Sequence, residues 1–237
     1  MFKNIEILLL ETSHPGNIGA AARAMKVMGL NSLSLVKPKE LPNNDSYALA
    51  VGCKDVIKRA KIYDNLQDAL EKSEINIGFS SRKRRAKIPI LNIDECIKFI
   101  FRHSNRNISI LFGNEQSGLS NEDLLMCNYI VKLPTYKEYQ SLNLASAVQI
   151  FSYELFKHSS KNIQPSLRKI KLAPTKQKNR FYKEFINLLI STGFITKKNI
   201  KSLSQKIHII FNKASLDKDE INMLLGIISS FNRKIKK

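Results

Sequence analysis

The residues of this chain that could do chemistry sit in four short loops, each following an apolar run. After "IEILLL" comes "TSHPGN", where Gly16 and Asn17 stand at the start of a helix reaching to a stop at Gly29. That helix N-terminus can offer its amides to an anion such as a backbone phosphate, although a tight strand-to-helix turn accounts for the GxxG on its own. Arg23 has Gly19, Ala20 and Val27 as helical neighbours and Lys26 as the one polar one, an odd setting for a cation that faces water. "SSRKRRAK" follows "INIGF" and concentrates Arg82, Lys83, Arg84, Arg85 and Lys87, whose guanidinium forks suit phosphate oxygens. "GNEQSG" holds Glu115 between Gly113 and Gly118. A single loop carboxylate is thin support for a general base, but the glycines point to backbone passing close to a ligand or another segment. "PTYKEYQS" leads into a helix near Ser141, with Leu144, Val148, Phe151 and Leu155 as a core stripe and Asn143 and Ser146 on another face. An Asn in a first helical turn is commonly a cap.

The elements that must position these loops alternate. Strand-like runs occur at "IEILLLE", "LSLV", "INIGFS", "ISILFG" and "IVKLP". Helical patterns lie between them, over 17–28, 46–51, 66–72, 93–101, 121–126 and 142–156. Near-continuous apolar strands alternating with helices predict an α/β fold, a mostly parallel sheet covered on both faces. Sites in such sheets gather at the carboxyl ends of the strands, where these four loops fall. Residues 1–158 form this domain. Residues 159–180, rich in basic residues and without an acid, read as a linker, and 181–237 as a small all-helical domain over about 181–191, 199–211 and 218–231.

Charge separates the two parts. Of 39 basic and 20 acidic residues, 20 and 15 lie in residues 1–150 (net +5), and 19 and 5 in residues 151–237 (net +14). A Lys-rich composition raises the pI by itself but does not strip acids from one half, so an anionic partner, RNA or DNA before a membrane, is implied. Cys53, Cys96 and Cys127 are scattered, arguing against a disulfide framework or a zinc site. No window approaches eighteen apolar residues and no signal-peptide layout opens the chain, so a soluble cytoplasmic protein is expected. The P-loop, GxSxG and GxGxxG patterns are absent, which counts against a nucleotidase, a hydrolase elbow and a nicotinamide enzyme.

In order along the chain, "ETSHPGNIGAAARAMKVMG", "LFGNEQSGLSNEDL" and "SLNLASAVQIFSYEL" resemble the three signature motifs of the SPOUT-class RNA ribose methyltransferases. "ALAVGCKDVIKRAKIYDNLQDAL", "SSRKR" and the tail segments "LLISTGFI" and "INMLLGIISS" resemble the TrmJ type. The resemblance implies a deep trefoil knot in the sheet domain, a homodimer with sites at its interface, and S-adenosyl-L-methionine as cofactor without a metal. It implies methylation of the ribose 2′-OH at tRNA position 32, a C or U in the anticodon loop. Carried over by motif, Asn17 and Arg23 face the ribose and its phosphate, and Ser141 touches the ribose as well as the cofactor. Phe79, Ser80, Ser81, Gly113, Leu133, Ser141, Leu142 and Asn143 form the cofactor pocket, with Phe79 standing where a small polar residue is expected. Arg82 and Arg84 match basic residues that serve the RNA substrate. An ordinary arginine stays charged, so Arg23 would activate the hydroxyl by stabilising a developing alkoxide. The same reaction on ribosomal RNA or another tRNA position, and a non-catalytic RNA-binding protein on this scaffold, are the competing readings.

Overall fold

The computed structural model describes residues 2–81, 88–138, 140–159 and 172–235. The α/β part runs β1 (Ile5–Leu10), α1 (Pro15–Val27), β2 (Ser32–Val36), α2 (Asn44–Leu49), α3 (Lys54–Lys58), β3 (Lys61–Tyr63) and α4 (Leu66–Ala69). It continues through β4 (Ile75–Phe79), β5 (Ile90–Leu91), α5 (Ile93–Arg102), β6 (Ile108–Phe112), α6 (Asn121–Leu125), β7 (Tyr129–Val131) and α7 (Leu144–Ser159). The sheet order is β3-β2-β1-β6-β4-β7-β5 and every pairing is parallel. The central strands β4 and β6 are buried at every position, which is why they read as near-continuous apolar runs, broken only by Asn76 and Ser109.

Helix α1 answers the question its small residues raise. A Cβ on Gly19 would lie 2.1 Å from the Ser46 carbonyl oxygen, so the glycine lets α2 pack directly on α1. Ser46 Oγ donates to the Pro15 carbonyl at 2.8 Å across the same contact. The small face is closed by α2, while Arg23 and Val27 emerge exposed. The helix also starts earlier than the sequence implies. Pro15 is its first residue and His14 its cap, with His14 Nδ1 accepting from the Gly16 amide at 3.0 Å. That amide is satisfied within the chain, as is the Asn17 amide by the His14 carbonyl at 3.0 Å, which favours the tight-turn reading of the GxxG over an anion site.

Three helices follow, α8 (Thr175–Ser191), α9 (Ile200–Ala214) and α10 (Lys218–Ile235), around a core of Phe181, Tyr182, Leu188, Ile207, Ile221 and Ile228. Helix α8 begins six residues before the expected 181, because its first turn docks on the sheet domain. Thr175 Oγ1 donates to the Ser73 carbonyl at 2.8 Å, and Lys178 Nζ to the Glu74 carbonyl at 3.0 Å. Asn212 of α9 adds a bond to the Leu125 carbonyl at 3.1 Å. No helix among the described residues is long and apolar enough to cross a membrane.

Candidate active site

Strands β4, β6 and β7 end at one cavity of about 320 Å³. Phe79, Ser80 and Ser81 line it from the end of β4, and Gly113 to Gln116 from the end of β6. Leu133, Thr135, Gln140, Ser141 and Leu142 close it from the segment after β7. Phe79 is almost fully buried beneath the cavity, stacked on Phe112 at 4.7 Å and edge-on to Phe151 at 5.4 Å. The aromatic side chain at this position therefore belongs to the core as much as to the cavity wall. Gly113 is required by space: a Cβ there would lie 2.2 Å from Gly118 C and Leu119 N, so the 113–119 loop folds back on itself only without one. Asn114 braces that loop, its Nδ2 donating to the Glu11 carbonyl at 2.6 Å and its Oδ1 accepting from the Gln116 amide at 2.8 Å.

Glu115 ties the loops together. Its Oε2 accepts from the Ser13 amide at 3.0 Å and the Ser13 hydroxyl at 2.7 Å, and its Oε1 accepts from Asn17 Nδ2 at 2.7 Å. Asn17 Oδ1 accepts in turn from Asn143 Nδ2 at 3.0 Å. Asn143 Oδ1 caps α7, accepting from the Ala145 amide at 2.8 Å and the Ser146 amide at 3.3 Å. Partial burial would raise the Glu115 carboxyl, but the Ser13 and Asn17 donors outweigh it and hold it below the usual carboxylate range. With both oxygens engaged, Glu115 is a poor base and a strong positioning group.

Of the residues singled out in the sequence, Phe79, Ser80, Ser81, Gly113, Leu133, Ser141 and Leu142 lie together on the cavity. Asn17 and Asn143 stand beside it, hydrogen-bonded directly to each other, with Glu115 holding Asn17. Arg23 is exposed on α1 and is not part of the cavity lining of its own chain. Arg82 and Arg84 lie outside the described residues. The Ser13–Glu115 pairing was not legible in advance, because 102 residues separate the partners. Among the described residues no group of three His, Cys, Asp or Glu side chains is placed to hold a metal ion.

A parallel sheet with a cavity at the carboxyl ends of its central strands defines an α/β protein whose cavity lies where such folds bind ligands. Residues 4–153 match the SpoU rRNA Methylase family, and residues 176–237 the C-terminal domain of the tRNA methyltransferase TrmJ. The chain belongs to the SpoU methylase family, as a TrmJ-type member. It is 38% identical over 240 residues to the tRNA (cytidine/uridine-2′-O-)-methyltransferase TrmJ of Sodalis glossinidius, covering 100% of this chain and 94% of that one. The crystal structure of TrmJ from Z. mobilis ZM4 superposes with a TM-score of 0.86 at 27% identity, over 96% of this chain and 98% of that one. The SpoU methyltransferase AviRb of Streptomyces viridochromogenes, solved in complex with AdoMet, shares the fold (TM-score 0.52, 21% identity, 66% of this chain and 61% of that one).

Proposed function

We propose that this protein methylates the ribose 2′-OH at position 32 of the tRNA anticodon loop, using S-adenosyl-L-methionine, and does so as a cytoplasmic homodimer. The observation that carries the reading is the hydrogen-bonded chain Ser13–Glu115–Asn17–Asn143 beside the cavity, which joins the three motif segments into one site. The cavity volume is in the range of small-molecule sites, and its walls mix serine hydroxyls, loop backbone and an aromatic floor, as a nucleoside-bearing cofactor requires. Bound there, S-adenosyl-L-methionine supplies an electrophilic methyl group on a sulfonium.

Everything else falls to the chain. In-line displacement depends on position, so Ser80, Ser81, Gly113, Leu133, Ser141 and Leu142 hold the donor while Asn17, fixed by Glu115, and Ser141 orient the ribose. Arg23 stabilises the developing alkoxide and pairs with the adjacent phosphate. It is exposed on its own chain, so this reading has it reach the site of the partner protomer. Val27 beside it, with Ile150, Tyr153 and Phe156 of α7, leaves an exposed apolar face that favours such a pairing. The deep trefoil knot belongs to the same reading. So does the division into a catalytic part, residues 1–158, and a basic RNA-binding helical part joined by a linker, with Arg82 and Arg84 contacting RNA.

Mass spectrometry of tRNA from a deletion strain, with and without the restored gene, tests the reaction and its position. Loss of 2′-O-methylation at position 32, restored by the wild-type gene and not by Arg23→Ala, is the expected result. Unchanged position 32 with a methyl group lost elsewhere would move the substrate to another RNA site. No change in any RNA would leave a non-catalytic RNA-binding protein.

A further inference from the structure

A second cleft, of about 350 Å³, opens at the opposite end of β4, between the sheet domain and helices α8 and α9. Asn76, the second residue of β4, lines this cleft, while Ser80, four residues on, lines the cavity described above. The extended chain places them about 13 Å apart. The cleft is thus a separate site at the amino ends of the strands.

Its lining is unusual in being rich in side-chain amides. Asn76, Asn128, Asn179, Gln205 and Asn212 all face it, together with His208. Asn212 is used structurally, accepting from the Tyr182 hydroxyl at 2.8 Å and donating to Leu125. Asn179 and Gln205 are not: both are half-buried, and among the described residues neither side chain has a hydrogen-bond partner. Asn76, 2% exposed, has its Nδ2 engaged but leaves Oδ1 without a donor among the described residues. The His208 ring stacks on Tyr182 at 3.9 Å. Burial lowers the His208 pKa, so the ring is neutral at neutral pH and presents one donor and one acceptor. Lys201 and Glu122 stand exposed at the rim.

Side-chain amides without a protein partner among the described residues, beside a planar, neutral ring, are the chemistry that reads a base edge, and a lysine at the rim suits a phosphate. We propose that this cleft receives one unpaired nucleotide of the RNA substrate, its base against Asn179, Gln205 and His208 and its phosphate toward Lys201. The described residues 172–235, which supply helices α8 to α10, hold 12 basic and 4 acidic residues (net +8), which draws RNA to this side of the molecule. The proposal rests on the RNA-modifying reading above and adds to it a contact remote from the methylated ribose.

The test uses full-length protein and a tRNA transcript, with affinity measured across a salt series and the RNA mapped by hydroxyl-radical footprinting. Asn179→Ala/Gln205→Ala weakens tRNA binding at least fivefold, leaves the slope of log K against log salt unchanged, and exposes one unpaired nucleotide that the wild type protects. Lys201→Ala lowers that slope by about one. Melting temperature and S-adenosyl-L-methionine affinity stay at wild-type values in all of them, since none of these side chains supports the fold. Wild-type tRNA affinity and footprint in the amide double variant would overturn the cleft assignment while leaving the methyltransferase reading intact. Binding of free 5′-mononucleotides that the double variant abolishes, with tRNA affinity unchanged, would make the cleft a small-molecule site and also overturn it. A wild-type protein that binds no tRNA would defeat both readings together.

Discussion

Asn17 and Glu115, 98 residues apart in the chain, meet at 2.7 Å with the amide as donor and the carboxylate as acceptor. The same carboxylate accepts twice from Ser13, so three donors converge on one side chain. Glu115→Gln keeps the shape and replaces one accepting oxygen with an amino group, which sets a donor against a donor at Ser13 or at Asn17. Bonds to a charged acceptor contribute roughly 1.5–3 kcal/mol each. Methyl transfer to tRNA is therefore expected to fall at least tenfold in kcat, while calorimetry finds S-adenosyl-L-methionine affinity within a few-fold of wild type. A variant with unimpaired kcat would show that Asn17 is not held in place by this pair.

The same contact sets a pH signature. Glu115 has a lowered pKa, so its contribution is complete above the ordinary carboxylate range and is lost only as pH falls through and below it. Asn17→Asp reverses the pattern. Two carboxylates at this separation repel, so the pair's upper pKa rises, and only below it is one proton shared between them. The variant is expected to be nearly inactive at pH 8 and to recover part of its activity toward pH 6, where a protonated Asp at 17 again donates to Glu115. Wild type shows no such recovery over that interval, and pH–rate profiles of the two proteins decide the point.

The Asn17–Glu115 pair also marks where sequence reading stops. β1, β4 and β6 were legible because strands covered on both faces carry near-continuous apolar runs, each broken by a single polar residue, and their order placed Ser13, Ser80 and Glu115 at the carboxyl ends. The edge strands β3 and β5, three and two residues long, have no periodicity to find. Residues 175–180 read as linker because "TKQKNR" is polar throughout. They are helical because tertiary contacts override that pattern: Thr175 and Lys178 are buried against Ser73 and Glu74. The cavity residues could be named from their motifs. Glu115 could not be given its task, since its partners are supplied by topology and not by spacing.

Gly113 and Gly118 bracket one loop but are needed for different reasons, and alanine separates them. At Gly113 a Cβ would meet backbone atoms at 2.2 Å that no rotamer can move aside. Gly113→Ala displaces the 113–119 loop, with cofactor affinity expected to fall tenfold or more and the melting temperature to drop clearly. At Gly118 there is open space but a φ of +67°, so alanine incurs only the left-handed backbone penalty of roughly 1–2 kcal/mol. Gly118→Ala should lower the melting temperature by a few degrees and change cofactor affinity less. Equal effects from the two variants would contradict the close loop packing.

Lys178 gives the docking of the helical part its own pH dependence. The side chain is 8% exposed, and burial pulls its pKa from 10.5 to about 8 against the opposing attraction of Glu74. Because the folded pKa lies below the unfolded one, the unfolded chain binds more protons between these values. Stability therefore rises with pH across that interval, and the cost of burying the charge is present in full below it. A shift of this size corresponds to about 3 kcal/mol. Lys178→Met removes the charge and keeps most of the volume. Its advantage in melting temperature over wild type is expected to be greatest near pH 7 and to shrink between pH 8 and 10.5, other titrations being common to both proteins. An advantage that stays flat across that range would mean that Lys178 is not buried as a cation at this junction, and that the Glu74 carbonyl does not hold it there.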